Sequence, residues 1–310
     1  MSRITIGYLV FLPCIFFISA NLSAEGREEF VPPDGYHIVW IHHEGDARNP
    51  GHYDERLGVP QLPTRVTFST EVQGQIFAIL VIMQDSQFAV SNIKTGLIAI
   101  SGPGKTVVVD LAARKVLLDV DTQFEVLNSH SVTYFIDEDK GRVLSLSKQG
   151  DSLQYLYDFN VDQVVEANIF PRNLVLFKGE PAYVEKESGS RGFVAIDLKT
   201  GLKADLPLST EELSLVPSSN TGDRAFFLER TTKELLSLNL STNDLEKCVK
   251  VSGEVYGILN IGKGAYILGI DKGGFVLFGG TVSERYVLYE NKLFSLSDPK
   301  HRDDFPVIVD

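Results

Sequence analysis

Short apolar runs recur along the chain, each closed by turn-forming residues, and sustained i, i+3, i+4, i+7 spacing is scarce. The clearest runs span residues 75–82, 106–109, 132–136, 174–177, 192–196, 225–228, 266–270 and 275–278. Brief runs of this kind, bounded by Gly, Asn, Asp and Ser, predict strands, so the chain reads as all-β. One stretch, Ser209-Thr-Glu-Glu212, has the spacing of a helix capping box. Pro217 stops any helix that starts there, so at most a short connecting helix is expected.

A second pattern lies between the runs. It comprises Asn92-Ile-Lys-Thr-Gly96, Asp137-Glu-Asp-Lys-Gly141, Asp197-Leu-Lys-Thr-Gly201 and Asn239-Leu-Ser-Thr-Asn243. A leading Asx side chain can hydrogen-bond backbone a couple of residues on, and Gly or Asn at the fifth position takes the positive φ that rejoins two strands. Each element is therefore predicted to be a hairpin turn. The leading residues are 45, 60 and 42 positions apart. Two of these intervals match the roughly 40 to 50 residues of one four-stranded unit in a repeating sheet architecture, and the third requires an insertion. A related turn, Asp110-Leu-Ala-Ala-Arg114, follows Asn92 by 18 residues and is expected to be the next hairpin of the same unit.

The stretch Phe193-Val-Ala-Ile-Asp-Leu-Lys-Thr-Gly201 resembles the repeat unit of β-propellers, especially the quinoprotein-like and related bacterial propellers, in which an apolar strand ends in a D-x-x-T-G turn. The resemblance implies one β-propeller of about six or seven four-stranded blades over residues 25–310. It does not extend to a quinone cofactor: the only tryptophan is Trp40, and the repeats lack the Trp that docks successive blades in quinoproteins. The alternative is a pair of β-sandwich domains, against which counts the absence of any Pro/Gly/Ser-rich linker. A propeller must join its ends to remove the open edge of its ring. The run at 305–309 and a strand around 37–41 are accordingly expected to complete the same or adjacent blades.

The first residues carry an address. Arg3 is followed by an almost wholly apolar stretch to Ile18, and then by Ser19-Ala20-Asn21-Leu22-Ser23-Ala24. This is the order of a secretory signal peptide, too short and too interrupted by Pro13 for a spanning helix. Cleavage after Ala24 leaves 286 residues and changes the formal charge from -12 to -13. The protein is expected to be secreted or periplasmic, without stable membrane insertion after cleavage. Its acidity argues against nucleic acid or anionic lipid as partners. Cys248 is the only cysteine left, so no intramolecular disulfide forms and the core must hold the fold. The sequon Asn239-Leu240-Ser241 reads as a chance match in a turn.

Chemistry-bearing motifs are few. Ser101-Gly-Pro-Gly-Lys-Thr106 is similar to the end of a phosphate-binding loop, but the first glycine position is Ala99 and the segment runs into Val107-Val-Val-Asp110 instead of a helix. The phosphate cradle is then missing, and a strand connection is predicted. The acidic turn Asp137-Glu138-Asp139 reads as solvated, and Cys248 as a strand packing residue. The densest polar segment, residues 42–56, holds three of the six histidines. Adjacent His42 and His43 diverge on a strand, so the best set for a divalent metal is His43 with His52 and Asp54. Two functions follow. The first is a noncatalytic exported module that binds a protein, glycan or envelope component and needs no cofactor. The alternative is a metal-dependent propeller hydrolase or lactonase using the 42–55 segment.

Overall fold

The computed structural model describes residues 28–44, 64–70, 76–83, 89–94, 96–102, 104–129, 131–164, 172–187, 189, 191–271, 283–296 and 305–309. Strands β1 (His37–Glu44), β2 (Thr64–Thr70) and β3 (Ile76–Met83) open the first sheet. The second contains β4 (Ala89–Lys94), β5 (Leu97–Gly102), β6 (Lys105–Asp110) and β7 (Lys115–Val120). The third contains β8 (Glu125–Asn128), β9 (Thr133–Asp137), β10 (Arg142–Leu146) and β11 (Leu153–Asp158), after which comes one helical turn, α1 (Val161–Val164). The fourth contains β12 (Asn173–Phe177), β13 (Glu180–Lys186), β14 (Gly192–Asp197) and β15 (Lys203–Ser209).

Strands β16 (Leu213–Leu215) and β17 (Ser218–Ser219) come next, then β18 (Arg224–Glu229), β19 (Glu234–Asn239) and β20 (Leu245–Lys250). The chain continues through β21 (Glu254–Gly262), β22 (Ala265–Asp271), β23 (Ser283–Tyr289) and β24 (Lys292–Ser295) to β25 (Phe305–Val309). The described strands make five four-stranded sheets and one five-stranded sheet, in which β17 pairs in parallel with β21. Within each sheet the remaining strands pair antiparallel, and nearly all are sequence neighbours. β16 pairs with β18, and a second exception closes the molecule. β25 returns to β1, in a register from His37 opposite Val309 to Ile41 opposite Phe305.

The apolar runs are continuous because these sheets are covered on both faces. Side chains alternate faces along a strand. In β5, Ile98 and Ile100 pack with Val39 and Ile41 of the first sheet, while Leu97 and Ala99 pack with Val126 and Phe135 of the third. Each hydrophobic cluster likewise fills the space between two successive sheets, ending with Trp40 and Ile308 of the first sheet against Ile261 and Ile267 of the last. Innermost segments β4, β8, β12, β17 and β21 touch in succession, and β21 returns to β4. A closed ring of such sheets is a β-propeller. The alternative, a pair of β-sandwiches, is not formed, since a sandwich buries only one face of each sheet.

The turns confirm the local chemistry and correct the repeat. Asp110 Oδ1 accepts a hydrogen bond from Ala113 N–H (2.8 Å), Asp137 Oδ1 from Lys140 N–H (3.1 Å), and Asp197 Oδ1 from Thr200 N–H (2.7 Å). Asn239 Oδ1 accepts from Ser241 and Thr242 N–H. Arg114, Gly141, Gly201 and Asn243 all take positive φ, from 56° to 69°. Yet these turns occupy different places in their sheets. Asp110, Asp197 and Asn239 lie between third and fourth strands, Asp137 between second and third, and Asn92 between first and second. Of the three intervals, only the 42 residues from Asp197 to Asn239 measure a sheet-to-sheet repeat. The stretch 209–212 forms a turn between β15 and β16, not a helix.

Candidate functional site

Where β4, β8, β12 and β17 begin, their side chains converge on a cavity of about 280 Å³ at the mouth of the central channel. Its wall includes Ser91, Ser101, Gln123, Glu125, Arg172 and Ser218, so polar groups come from or next to strands of four different sheets. The loop residues Ser101 and Thr106 act here, though not on phosphate. Their hydroxyls are 2.9 Å apart, both accept from Phe124 N–H at 3.1 Å, and Ser101 Oγ donates to Phe124 O at 2.6 Å. Phe124 also packs its ring edgewise on Phe135. The residue immediately before Glu125 is thereby fixed from both its backbone and its side chain.

Glu125 belongs to a group assembled from three sheet elements. Tyr183 on β13 is fully buried, donates its hydroxyl hydrogen bond to Glu138, and lies 3.5 Å from Glu125 Oε2. Arg172, just before β12, forms an ion pair with Glu138 and lays its guanidinium over the Tyr183 ring at 4.9 Å. The acidic turn is thus only partly solvated: Asp139 is exposed, but Glu138 is tied into this wall. Glu125 has protein groups close around it, but the residue itself is exposed on the cavity. Burial pushes it up to about 7, with the Glu138 charge adding to the rise and Arg172 and Tyr183 opposing it. Burial and the two carboxylates hold the Tyr183 hydroxyl well above its ordinary range, so it remains a donor.

Further along the same inner strands, asparagine amides bridge the channel. Asn92 Nδ2 donates to the carbonyls of Ile261 and Ile308, both at 3.4 Å. Asn220 Nδ2 donates to Asn92 O at 3.0 Å and its Oδ1 accepts from Asn128 N–H at 3.0 Å. Asn128 Nδ2 donates to Ile93 O, and Asn260 Nδ2 to Asn220 O at 3.0 Å. Asn92, expected to lead a hairpin turn, therefore sends its side chain across the channel instead. Asn220 also forms part of the cavity floor.

Of the proposed metal ligands, His43 lies in β1 opposite Val66, while His52 and Asp54 lie outside the described residues. So do Asp303, Asp304 and the run 275–278. Among the described residues, no group of three or more His, Cys, Asp or Glu is placed to hold a metal ion, and no helix is long and apolar enough to cross a membrane. Cys248 packs on β20 against the cluster between the fifth and sixth sheets. Burial pushes its thiol up to about 11, against the opposing Arg224 charge. Sequence reasoning missed Glu125, Arg172 and Tyr183. None sits in a local motif, and only the closed ring brings them together.

No family model matches the sequence, and no curated protein matches it. Among solved structures, the chain is similar to one in the crystal structure of a nidogen/laminin complex, at 9% identity and a TM-score of 0.45, over 89% of this chain and 98% of that one. It is similar to a putative TolB from Agrobacterium tumefaciens at 10% identity and a TM-score of 0.47, over 80% of this chain and 98% of that one. The Pan2 WD40 domain of Neurospora crassa matches at 14% identity and a TM-score of 0.41, over 68% and 69% of the two chains. These are β-propeller proteins. At such identities the likeness concerns the fold alone and assigns no ligand.

Proposed function

We propose that this chain is an exported, noncatalytic β-propeller of six blades that serves as a binding module for a protein, glycan or envelope component, with the channel mouth as its site. The observation that carries this reading is the convergence of Ser91, Glu125, Arg172 and Ser218, on or next to strands of four different sheets, on one cavity. Small-ligand and cofactor sites are concavities of this kind, with a few placed polar groups. The six-blade count is supported by hydrophobic clusters that each join two successive sheets, the last returning to the first. Export is supported by the signal-like residues 1–24, which leaves a propeller domain over 25–310 and a secreted or periplasmic location.

A photocrosslinking residue at exposed Gln123, on the mouth, should capture one partner from the native compartment. The same residue at exposed Leu202 should not. Digestion of the adduct with protease or glycosidase then identifies its class. Equal capture from both positions, or capture from Leu202 alone, overturns the site assignment. Sequencing of the exported protein should begin at Glu25, and retention of residues 1–24 would contradict export by a cleaved signal.

A further inference from the structure

The charges at the channel mouth do not balance. Arg172 is already matched by the Glu138 carboxylate, with which it forms an ion pair, and by the face of Tyr183. Glu138 has a second donor in the Tyr183 hydroxyl. Glu125 has only the 3.5 Å approach of that same hydroxyl, at the outer limit of a hydrogen bond, and it faces the cavity. The described charged and titratable groups facing Glu125 are Glu138 from the β9–β10 turn, Arg172 ahead of β12 and Tyr183 from β13. When Glu125 is ionised, the wall carries one uncompensated negative charge, on a carboxylate that is exposed at the cavity. Such a wall favours a cationic donor over an anion, because a charge-assisted hydrogen bond is stronger than a neutral one.

Resting on the reading that the mouth is a ligand site, we propose that it binds one organic cation, an alkylammonium or guanidinium group, with Glu125 as counter-ion. An anion is disfavoured because Arg172 is occupied and Glu125 would repel it. The volume, at the small end for ligand cavities, suits a small amine or a single Lys or Arg side chain better than an extended oligosaccharide.

Occupancy of the site is coupled to a proton. With Glu125 titrating at about 7, the carboxylate that receives the cation is mostly protonated at pH 6 and mostly ionised at pH 8. An alkylammonium keeps its own charge over that range, as lysine does with a pKa of about 10.4. Its affinity should therefore rise about tenfold from pH 6 to pH 8 through the Glu125 proton alone.

The test is titration of the purified protein with n-butylammonium, n-butylguanidinium, butyrate and n-butanol, followed by NMR. Saturable binding of at least one cation, about tenfold tighter at pH 8 than at pH 6 and lost in Glu125→Gln, is the expected result. The pH series on the unaltered protein keeps the proposal testable if the variant folds poorly. A Lys-containing peptide blocked at both ends separates the two sources of the group: tighter binding than n-butylammonium indicates a protein side chain, and equal or weaker binding a free amine. Three results overturn the proposal: no saturation by either cation up to about 10 mM, a concentration that reaches millimolar affinities; cation binding that is indifferent to pH and to Glu125→Gln; or tighter binding of butyrate. Binding of butyrate, or continued crosslinking from Gln123, would leave the mouth as a ligand site while removing the cation.

Discussion

Replacing Asn220 with Ala tests whether side-chain amides hold the ring together across the channel. Asn220 is 4% exposed and has a φ of 52°. The substitution removes the acceptor for Asn128 N–H and the donor for Asn92 O. Each buried backbone group left without a partner costs about 1–3 kcal/mol. Alanine also lacks the local hydrogen bonding that lets Asn take left-handed backbone, a further cost of about 1–2 kcal/mol. The combined loss is about 3–8 kcal/mol, a large part of the roughly 5–15 kcal/mol that stabilises an ordinary domain.

Two companion variants separate these contributions. Asn220→Gly relieves the backbone cost and not the lost bonds, so it should be about 1 kcal/mol less damaging than Asn220→Ala. Asn220→Asp keeps an acceptor for Asn128 N–H but turns an oxygen toward the Asn92 carbonyl, and should be no better than Ala. The assay is urea unfolding followed by Trp40 fluorescence, since Trp40 is buried where the last sheet meets the first. The midpoint should fall with its slope unchanged. A loss under about 0.5 kcal/mol in Asn220→Ala would mean that water replaces the amide and that the bridging contributes little.

Deleting residues 305–310 removes β25 and the burial of Val307 and Ile308, worth about 3–6 kcal/mol for two such side chains. Calorimetry should show a large fall in melting temperature; an unchanged value would contradict closure by β25. With its thiol pushed up to about 11, Cys248 is almost entirely protonated at neutral pH. Iodoacetamide should label the native protein slowly, faster as pH rises and quickly once unfolded, and rapid native labelling at neutral pH would refute that burial. The noncatalytic reading expects His52→Ala and Asp54→Ala each to change stability by less than about 0.5 kcal/mol. Near-stoichiometric metal in the purified protein, lost in His52→Ala together with hydrolytic activity, would favour the metal-dependent alternative.

The strands were legible because these sheets are buried on both faces. Val107-Val108-Val109 and Ala225-Phe226-Phe227-Leu228 are apolar at every position, since one set of alternate residues faces the preceding sheet and the other the next. The Asx turns were legible because their hydrogen bonds are local: Asp197 reaches Thr200 without help from the rest of the fold. The turn pattern did not reveal which strands each hairpin joins, and hence two of the three intervals misled. Nothing local marked the channel mouth. Glu125 and Tyr183 are 58 residues apart in sequence, and only packing of the third sheet on the fourth brings them together.

The amide bridge and the cavity are two answers to the same structural problem. Except where β17 pairs with β21, each innermost strand has an edge with no neighbouring strand in its own sheet, so its backbone groups face the channel and must find other partners. Further along the strands, asparagine side chains do what a neighbouring strand would do, because each offers a donor and an acceptor in one plane. At the mouth the side chains are shorter or charged, and Glu125 is left underused. A cation filling that gap completes contacts on strands already fixed by the bridge, so it should stabilise the native state without rearranging it. At one hundred times its Kd, the gain from mass action is about 2.7 kcal/mol. n-Butylammonium at one fixed concentration should therefore raise the melting temperature more at pH 8 than at pH 6, with no change in far-ultraviolet circular dichroism and no shift in Glu125→Gln. A shift of equal size at both pH values would show that the cation acts elsewhere on this acidic surface.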